Sequence, residues 1–445
     1  MLHTFPDHAP EISRQISMMS GYIRSVFKCE PQGAWVAERV WEPELASVFH
    51  DAGIKYVVLD DTHLIYAGIP KSETYGYYAT EDNAKGVFVF PSDKELRYMM
   101  PYKLPLECID HMRYVASNVH DPVFVYGDDG EKFGEWPGTH EWVFREKWLE
   151  KFFGEVMKNA AWLETVTLAE CLKKRPSRGK VYLPAVSYDE MSEWALPAES
   201  QKRMGEALAD LRQSGREDMY RPFIRGGFWR NFLTKYPEAD HMNKKMIYVS
   251  RKFEAFTKSE ASAKAGEEGL ENIEKELLRG QCNCAYWHGM FGGLYLFHLR
   301  RAVYCHLIRS EAMMDKMIHN GEPFCKAEAL DMNADGFKEV IMENGEMSLY
   351  IDPAAGGRGR FTLIGATEGS KLEISPSTSL LNPVYFFISL PTVSAALLSA
   401  EYSSRNTTGT RIRSCAISPN SRWMSANGGT EEDMNIYVCS YVYSY

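Results

Sequence analysis

Short apolar runs alternate with segments of helical periodicity in the first 185 residues. The runs cover 34–38 (AWVAE), 56–61 (YVVLDD), 86–93 (GVFVFPSD) and 122–129 (PVFVYGDD), with a weaker fifth at 180–185 (KVYLPA). Strands that alternate with helices are typical of βα units around a parallel sheet. The pattern therefore predicts an α/β domain over residues 1–189.

Carboxylates end the first four of these runs: Glu38, Asp60, Asp61, Asp93, Asp128 and Asp129. A (β/α) barrel builds its active site at the carboxyl ends of its strands. The pattern is therefore the one that a catalytic barrel leaves in a sequence.

The rest of the chain changes character twice. Helical periodicity dominates residues 190–325, where we predict a helical subdomain. Alternating positions follow, and 338–352 (KEVIMENGEMSLYID) predicts a hairpin that turns at Asn344-Gly345, so we expect 326–357 to start an antiparallel β-domain. Residues 358–445 use Ser and Thr heavily and few acids, which indicates an atypical tail, either frame-shifted or disordered.

Composition narrows the choice of partners and compartment. The 445 residues carry a net charge of -10, and Lys and Arg are dispersed, so we expect no nucleic-acid partner. No run approaches the ~20 apolar residues of a membrane span, so we expect no membrane partner. Nine scattered cysteines, an odd number, favour a reducing compartment and a cytoplasmic location. No motif indicates a cofactor.

Glu38 and Asp129 form the candidate catalytic pair. In one parallel barrel, both carboxyls would face the same crevice. Cleavage of a glycosidic bond needs two such groups, since one attacks or stabilises the anomeric carbon and the other protonates the leaving oxygen. The alternative is a purely structural salt-bridge network, with Glu38 paired to Arg39 or Lys132.

Three motifs closely resemble those of glycoside hydrolase family 57, in its 4-α-glucanotransferase and α-amylase-like branch. They are AERVWEPEL (37–45), YGDDGEKFGEWPG (126–138) and QCNCAYWHGMFGGLYLFHLR (281–300). The segments at 57–63, 90–102 and 226–246 are similar to the connecting segments of that branch. The resemblance extends from about Gln15 to Gly357.

That resemblance implies an incomplete (β/α)7 barrel, a helical region and a C-terminal antiparallel β-sandwich. Family members act on α-1,4-glucans with retention of configuration. By motif position, Glu38 matches the nucleophile that forms the glycosyl-enzyme intermediate, and Asp129 matches the general acid/base.

Six further residues are candidates for substrate binding. Aromatic rings stack on the apolar faces of sugars, and polar side chains hold their hydroxyls. The candidate platforms are Trp136, Trp229 and Trp287, and the candidate hydroxyl ligands are His288, Asp61 and His63. The alternative for each residue is core packing or a satisfied structural hydrogen bond.

One acidic loop has the spacing of a calcium site. Asp331, Asn333 and Asp335 follow the Asp-x-Asn-x-Asp-Gly pattern, and Glu339 is a further oxygen ligand. Position 12 of the full pattern is Met342. We therefore interpret the loop as a turn into the β-domain, with calcium as the alternative. Cys282 and Cys284 are expected to be free thiols.

The leading hypothesis is a retaining 4-α-glucanotransferase that transfers maltooligosaccharyl units between α-1,4-glucans. The alternatives are an α-amylase-like hydrolase and a non-catalytic glucan-binding remnant. The remnant is considered because family members begin with an additional segment that carries a His-Gln-Pro motif. We therefore expect the first two βα units to be missing from this chain. The resulting strand edges also favour a homodimer.

Overall fold

The computed structural model describes residues 9–289, 292–345, 347–352 and 362–365. The chain divides into two compact units between Lys235 and Tyr236. The predicted atypical tail lies outside the described residues, apart from 362–365. The domain boundaries drawn from the sequence stay predictions.

The first unit contains a four-stranded mixed sheet. Its strands are β1 (Gly33–Trp35), β2 (Tyr56–Asp60), β3 (Tyr78–Asp82) and β4 (Lys85–Ser92). The spatial order is β1-β2-β4-β3, with β1, β2 and β4 parallel and β3 antiparallel to β4. The predicted α/β class with parallel pairing is confirmed for these strands. The incomplete barrel goes beyond this sheet and stays a prediction.

Eleven α-helices belong to this unit within the described residues. They are α1 (Ala9–Phe27), α2 (Leu45–Asp51), α3 (Thr62–Tyr66), α4 (Lys94–Met99), α5 (Pro105–Asn118), α6 (Trp148–Lys158), α7 (Leu168–Lys174), α8 (Asp189–Trp194), α9 (Ala198–Gln213), α10 (Glu217–Tyr220) and α11 (Asn231–Lys235). A π-helical turn at Glu141–Arg145 precedes α6.

Strand β2 is apolar without interruption because both of its faces are covered. Val57 and Leu59 pack in one cluster with Trp41, while Val58 packs in another with Phe90. A strand that is buried on both faces has no solvent side to carry polar residues. The apolar run therefore ends only where the sheet ends, at Asp60.

Two of the predicted strands differ in the structure. The segment 122–129 has no regular ladder, and is held by Asp93 N to Val125 O at 2.8 Å and Val123 N to Tyr75 O at 3.3 Å. Pro122 cannot donate a backbone hydrogen bond, which weakens pairing at the start of the segment. The segment 180–185 makes one isolated bridge, from Lys180 to Ala79.

The second unit combines three long helices with a second sheet in its described residues. The helices are α12 (Pro237–Thr257), α13 (Glu260–Arg279) and α14 (Phe297–Ile318). The strands β5 (Cys325–Leu330), β6 (Glu339–Asn344), β7 (Met347–Ile351) and β8 (Thr362–Gly365) follow in antiparallel order. The predicted hairpin at 338–352 is confirmed as β6 and β7. A β-sandwich stays a prediction.

A buried ionic cluster joins the helices of the second unit to its sheet. Lys245 contacts Glu311 and the hydroxyl of Tyr350, and Lys252 Nζ lies 2.8 Å from Asp315 and 3.6 Å from Glu343. These contacts cross from α12 to α14, β6 and β7. Removing one partner from such a cluster would leave a buried charge unpaired.

None of the helices in the described part of the chain is long and apolar enough to cross a membrane.

Leu59→Ala tests whether β2 is the central strand of the first core. Leu59 is fully buried, so the change leaves a cavity and should lower the free energy of unfolding by about 2–5 kcal/mol. Urea unfolding followed by circular dichroism measures the loss. Leu106→Ala, at a side chain that is 52% exposed, is the control and should have little effect. Equal losses in the two variants would contradict the assignment.

Candidate active site

Glu38 lies in a tight turn directly after β1. The turn spans Ala37–Arg39, and both Glu38 (φ 50°, ψ 17°) and Arg39 (φ 48°) adopt left-handed backbone angles. Such angles cost a non-glycine residue of order 1 kcal/mol or more. The turn is therefore held by its surroundings: Ser187 Oγ donates to the carbonyl oxygen of Glu38 at 2.5 Å.

The Glu38 carboxyl is half-buried, and Tyr188 donates a hydrogen bond to it, with its hydroxyl 3.1 Å from Oε2. Burial raises the pKa of Glu38, and the charge of Asp129 acts in the same direction. The guanidiniums of Arg39 and Arg97 and the bond from Tyr188 oppose the rise. The carboxyl therefore lies close to several charges while it is partly shielded from water.

Asp129 is the last residue of the segment 122–129 and precedes a short helical turn at Gly130–Phe133. Its carboxyl is half-buried, and burial raises its pKa. The charges of Asp128 and Glu131 also raise that pKa, while Arg39 and Arg97 lower it. An aspartic acid whose pKa is raised by burial is suited to donate a proton near neutral pH.

The same two guanidiniums, Arg39 and Arg97, act on both carboxyls of the candidate pair. Glu38 and Asp129 are 91 positions apart in the sequence. The same positive charges nevertheless act on both carboxyls at the carboxyl end of the sheet. This arrangement can hold one carboxyl ionised and the other protonated, which is what acid-assisted displacement at an acetal carbon requires.

Next to this pair lies a more deeply buried ion-paired layer, made of Asp60, Arg97, Asp128 and Lys132. Arg97 lies 2.9 Å from Asp60 Oδ2 and 3.5 Å from Asp128 Oδ1, and Lys132 lies 2.5 Å from Asp128 Oδ2. Burial alone would raise the pKa of Asp60, but Arg39 and Arg97 overcome it and lower the pKa to about 2. Lys132 therefore pairs with Asp128, whereas the salt-bridge alternative placed it on Glu38.

Asp61 and His63 are buried beneath this surface. Both ring nitrogens of His63 face carbonyl oxygens, those of Asp60 at 2.9 Å and Arg39 at 2.7 Å. This geometry ties the Glu38 turn to β2 and leaves His63 no nitrogen for a sugar hydroxyl. Asp61 binds Lys71 at 2.5 Å and is 2% exposed, and burial together with the charge of Asp60 raises its pKa to about 7.

The predicted aromatic platforms differ in exposure. Trp229 is 1% exposed and donates to Glu42 Oε1 at 3.1 Å, so its ring is a packing element. Trp136 is half-buried beside Lys132, whose ammonium lies 5.9 Å from the ring centroid. Trp136 therefore remains a candidate platform.

Trp287 and His288 lie in the second unit. Trp287 is 5% exposed. His288 is half-buried, and its Nδ1 lies 3.1 Å from the Tyr295 hydroxyl. Their predicted contacts with substrate stay predictions.

Several residues that border the candidate pair were not predicted from the sequence. Trp35 is 37% exposed, three positions before Glu38, and a side chain at Gly127 would collide with its ring. Its position in the apolar run 34–38, which also contains Glu38, was the available signal. Nothing in the sequence near Glu38 or Asp129 indicated Arg97 or Tyr188, because each lies in a separate element.

The acidic loop between β5 and β6 forms a turn, in agreement with the favoured interpretation. Asp331, Asn333 and Asp335 accept hydrogen bonds from backbone amides of the same loop, and Glu339 accepts from Met332. Within the described residues, no three or more His, Cys, Asp or Glu side chains are grouped to hold a metal ion. Calcium at this loop stays a prediction.

The predicted free thiols are consistent with the structure, since no disulfide joins the seven described cysteines. A hydrogen bond from Cys284 lowers the pKa of Cys282 to about 6.

Comparison with known proteins gives matches in both units. Residues 2–184 match the glycosyl hydrolase family 57 domain, and residues 227–314 match the middle domain of alpha-amylase/4-alpha-glucanotransferase. The chain is 40% identical to alpha-amylase 1 of Dictyoglomus thermophilum over 344 residues, which is 77% of this chain and 48% of that protein.

It is also 40% identical to the 4-alpha-glucanotransferase of Thermococcus litoralis over 343 residues, covering 77% of this chain and 48% of that protein. The crystal structure of the Thermococcus litoralis 4-alpha-glucanotransferase superposes with a TM-score of 0.70 at 38% identity, over 79% of this chain and 52% of that chain. The chain thus spans about half the length of the curated relatives that it matches.

Arg97→Met tests the ion-paired layer. The change leaves Asp60 and Asp128 buried without their guanidinium and should lower the free energy of unfolding by about 3–5 kcal/mol at pH 7. Asp60 has a depressed pKa of about 2, so its stabilising contribution is complete above its ordinary pKa of about 4 and is lost as the pH falls towards 2.

The difference between the variant and the unsubstituted chain should therefore shrink between pH 4 and pH 2. Urea unfolding at a series of pH values measures it. Arg113→Met, at an exposed pair with Asp110, is the matched control. A loss for Arg97→Met that does not change with pH would contradict the electrostatic origin.

Proposed function

The chain contains a glycosyl hydrolase family 57 domain followed by the amylase/glucanotransferase middle domain, and we propose that it acts on α-1,4-glucans as a retaining 4-α-glucanotransferase. The substrate class is an α-1,4-glucan or maltooligosaccharide. The observation that carries the proposal is the environment shared by Glu38 and Asp129, in which the same two guanidiniums act on both half-buried carboxyls.

In the first half-reaction, a Glu38 oxygen attacks the anomeric carbon while Asp129 gives its proton to the departing glycosidic oxygen. The carbon–oxygen bond of the glucan breaks, and an ester forms between Glu38 and the transferred maltooligosaccharyl unit. The raised pKa of Asp129 supports this role, because more of the acid is protonated near neutral pH.

In the second half-reaction, Asp129 takes the proton of an incoming hydroxyl, which attacks the same carbon and releases Glu38. A sugar hydroxyl gives transfer, and water gives hydrolysis. Trp35 supports the binding of a sugar at this edge, because part of its ring is exposed beside the Glu38 turn. Trp136 is a second candidate platform, on the loop that carries Asp129.

Incubation with maltotriose tests the activity. We expect glucose together with products longer than maltotriose, resolved by chromatography. Glu38→Gln should reduce the rate by at least about 1,000-fold, because it removes the attacking oxygen. Glu44→Gln, at an exposed position six residues further on, should leave the rate unchanged.

Other product patterns would contradict the transferase. Glucose and maltose without elongation would establish an α-amylase-like hydrolase. A folded chain that binds maltooligosaccharides without turnover would establish the glucan-binding remnant.

Glu131→Gln tests the role of Asp129 as an acid. The negative charge of Glu131 raises the pKa of Asp129, so its removal should lower that pKa and move the high-pH limb of kcat to lower pH. Initial rates across the pH range measure the shift. Glu135→Gln, also exposed and on the same loop, should leave the limb in place, and an equal shift in both variants would argue against Asp129.

A further inference from the structure

The segment 186–189 packs against the turn that carries Glu38. Trp41 and Val186 exchange backbone hydrogen bonds at 2.9 and 3.2 Å, and Ser187 Oγ donates to the Glu38 carbonyl oxygen at 2.5 Å. Tyr188 then donates its hydroxyl to Glu38 Oε2 at 3.1 Å. Ser187 and Tyr188 therefore bind Glu38 itself, and Val186 binds Trp41, two residues beyond the turn.

The phenol of Tyr188 is itself fixed. The residue is 8% exposed, the Arg39 guanidinium lies 4.2 Å from its ring centroid, and Trp194 meets the ring edge-on at 6.1 Å. A side chain that is buried and contacted by two neighbours loses little further entropy when it donates a hydrogen bond. Its hydroxyl can therefore fix the orientation of the carboxyl that it binds.

We propose that Tyr188 is a positioning residue for the reaction, which binds Glu38 Oε2 and so directs the other carboxylate oxygen at the anomeric carbon. This inference rests on the proposed function, since it assigns a partner to the nucleophile of that reaction. The segment lies between the two matched regions, 2–184 and 227–314, so neither match contributes to the assignment.

The chemical need for such a residue follows from the burial of Glu38. A nucleophilic carboxyl must be ionised, and burial favours its neutral form. A hydrogen bond from Tyr188 stabilises the ionised form without adding a charge that would hinder Asp129. In the forward step the phenol keeps its proton, Glu38 Oε1 forms the bond to carbon, and the glycosidic oxygen leaves with the proton of Asp129.

Tyr188→Phe removes the hydroxyl and keeps the ring under Arg39. Since a hydrogen bond to a charged group is lost, kcat on maltotriose should fall roughly 10- to 100-fold, with KM changed by less than about 2-fold. The hydrogen bond from Tyr188 lowers the pKa of Glu38, so its loss should raise that pKa and move the low-pH limb of kcat/KM to higher pH. Asp129, Arg39 and Arg97 also face Glu38, and they are unchanged in the variant. Tyr182→Phe, at a 63% exposed tyrosine bound to Glu81, is the matched control.

α-Maltosyl fluoride separates a defect in the attacking carboxylate from a defect in proton donation. Fluoride leaves without a proton, so Asp129→Asn should recover much of its rate on this substrate. Tyr188→Phe should stay slow on it, because its defect lies in the attacking carboxylate. Recovery of Tyr188→Phe to the rate of the unsubstituted chain would overturn the proposal.

A second measurement does not depend on turnover. Carbodiimide coupling labels protonated carboxyls, and mass spectrometry of the peptide that contains Glu38 gives its titration with pH. The midpoint should move to higher pH in Tyr188→Phe and stay in place in Tyr182→Phe. An unmoved midpoint overturns the proposal. A moved midpoint in a chain without turnover would uphold Tyr188 as the partner of Glu38 and reject the proposed function.

Discussion

The burial of carboxylates at the ends of the strands constrains the rest of the first unit. The side chains of Asp60, Asp61, Asp93 and Asp128 are at most 3% exposed. Charges at that depth are tolerated only when cations and hydrogen bonds compensate them. The cations come from separate elements, since Arg97 lies in α4 and Lys132 lies in the loop after Asp129. These elements must therefore adopt the one arrangement that places both cations beside the carboxylates.

The carboxyls at these strand ends have opposite tendencies. Arg39 and Arg97 hold the pKa of Asp60 down to about 2. Burial dominates at Asp61, Glu38 and Asp129 and raises the pKa of each. The strand ends thus combine a carboxyl that stays ionised with carboxyls whose protonated form is favoured by burial, a contrast that enzymes use to run acid and base chemistry together.

Local patterns in the sequence predicted those elements that are determined by residues near them in the chain. The apolar run of β2 reflects burial on both faces, and the Asn344-Gly345 turn between β6 and β7 is a hairpin signal in its own right. The position of Glu38 after β1 follows from the strand-end rule and from its motif. These features need only neighbours in sequence.

The features that differ from the sequence patterns depend on partners far along the chain. The run at 122–129 has strand composition, but Ser92 Oγ rather than a backbone group binds Gly127. His63 and Trp229 have residue types suited to sugars, yet distant groups, the Arg39 carbonyl and Glu42, occupy their polar atoms. Tyr188 lies 150 positions from Glu38, a separation at which no single-sequence pattern applies.

The left-handed backbone of Glu38 bears on protein engineering. Glycine or asparagine would adopt those angles with less strain, so a redesign scored on folding alone would favour them at position 38. Such a redesign would gain stability by discarding the carboxylate beside the strand ends. A version of this fold that is stabilised at this turn would therefore lose the candidate nucleophile, and with it the proposed activity.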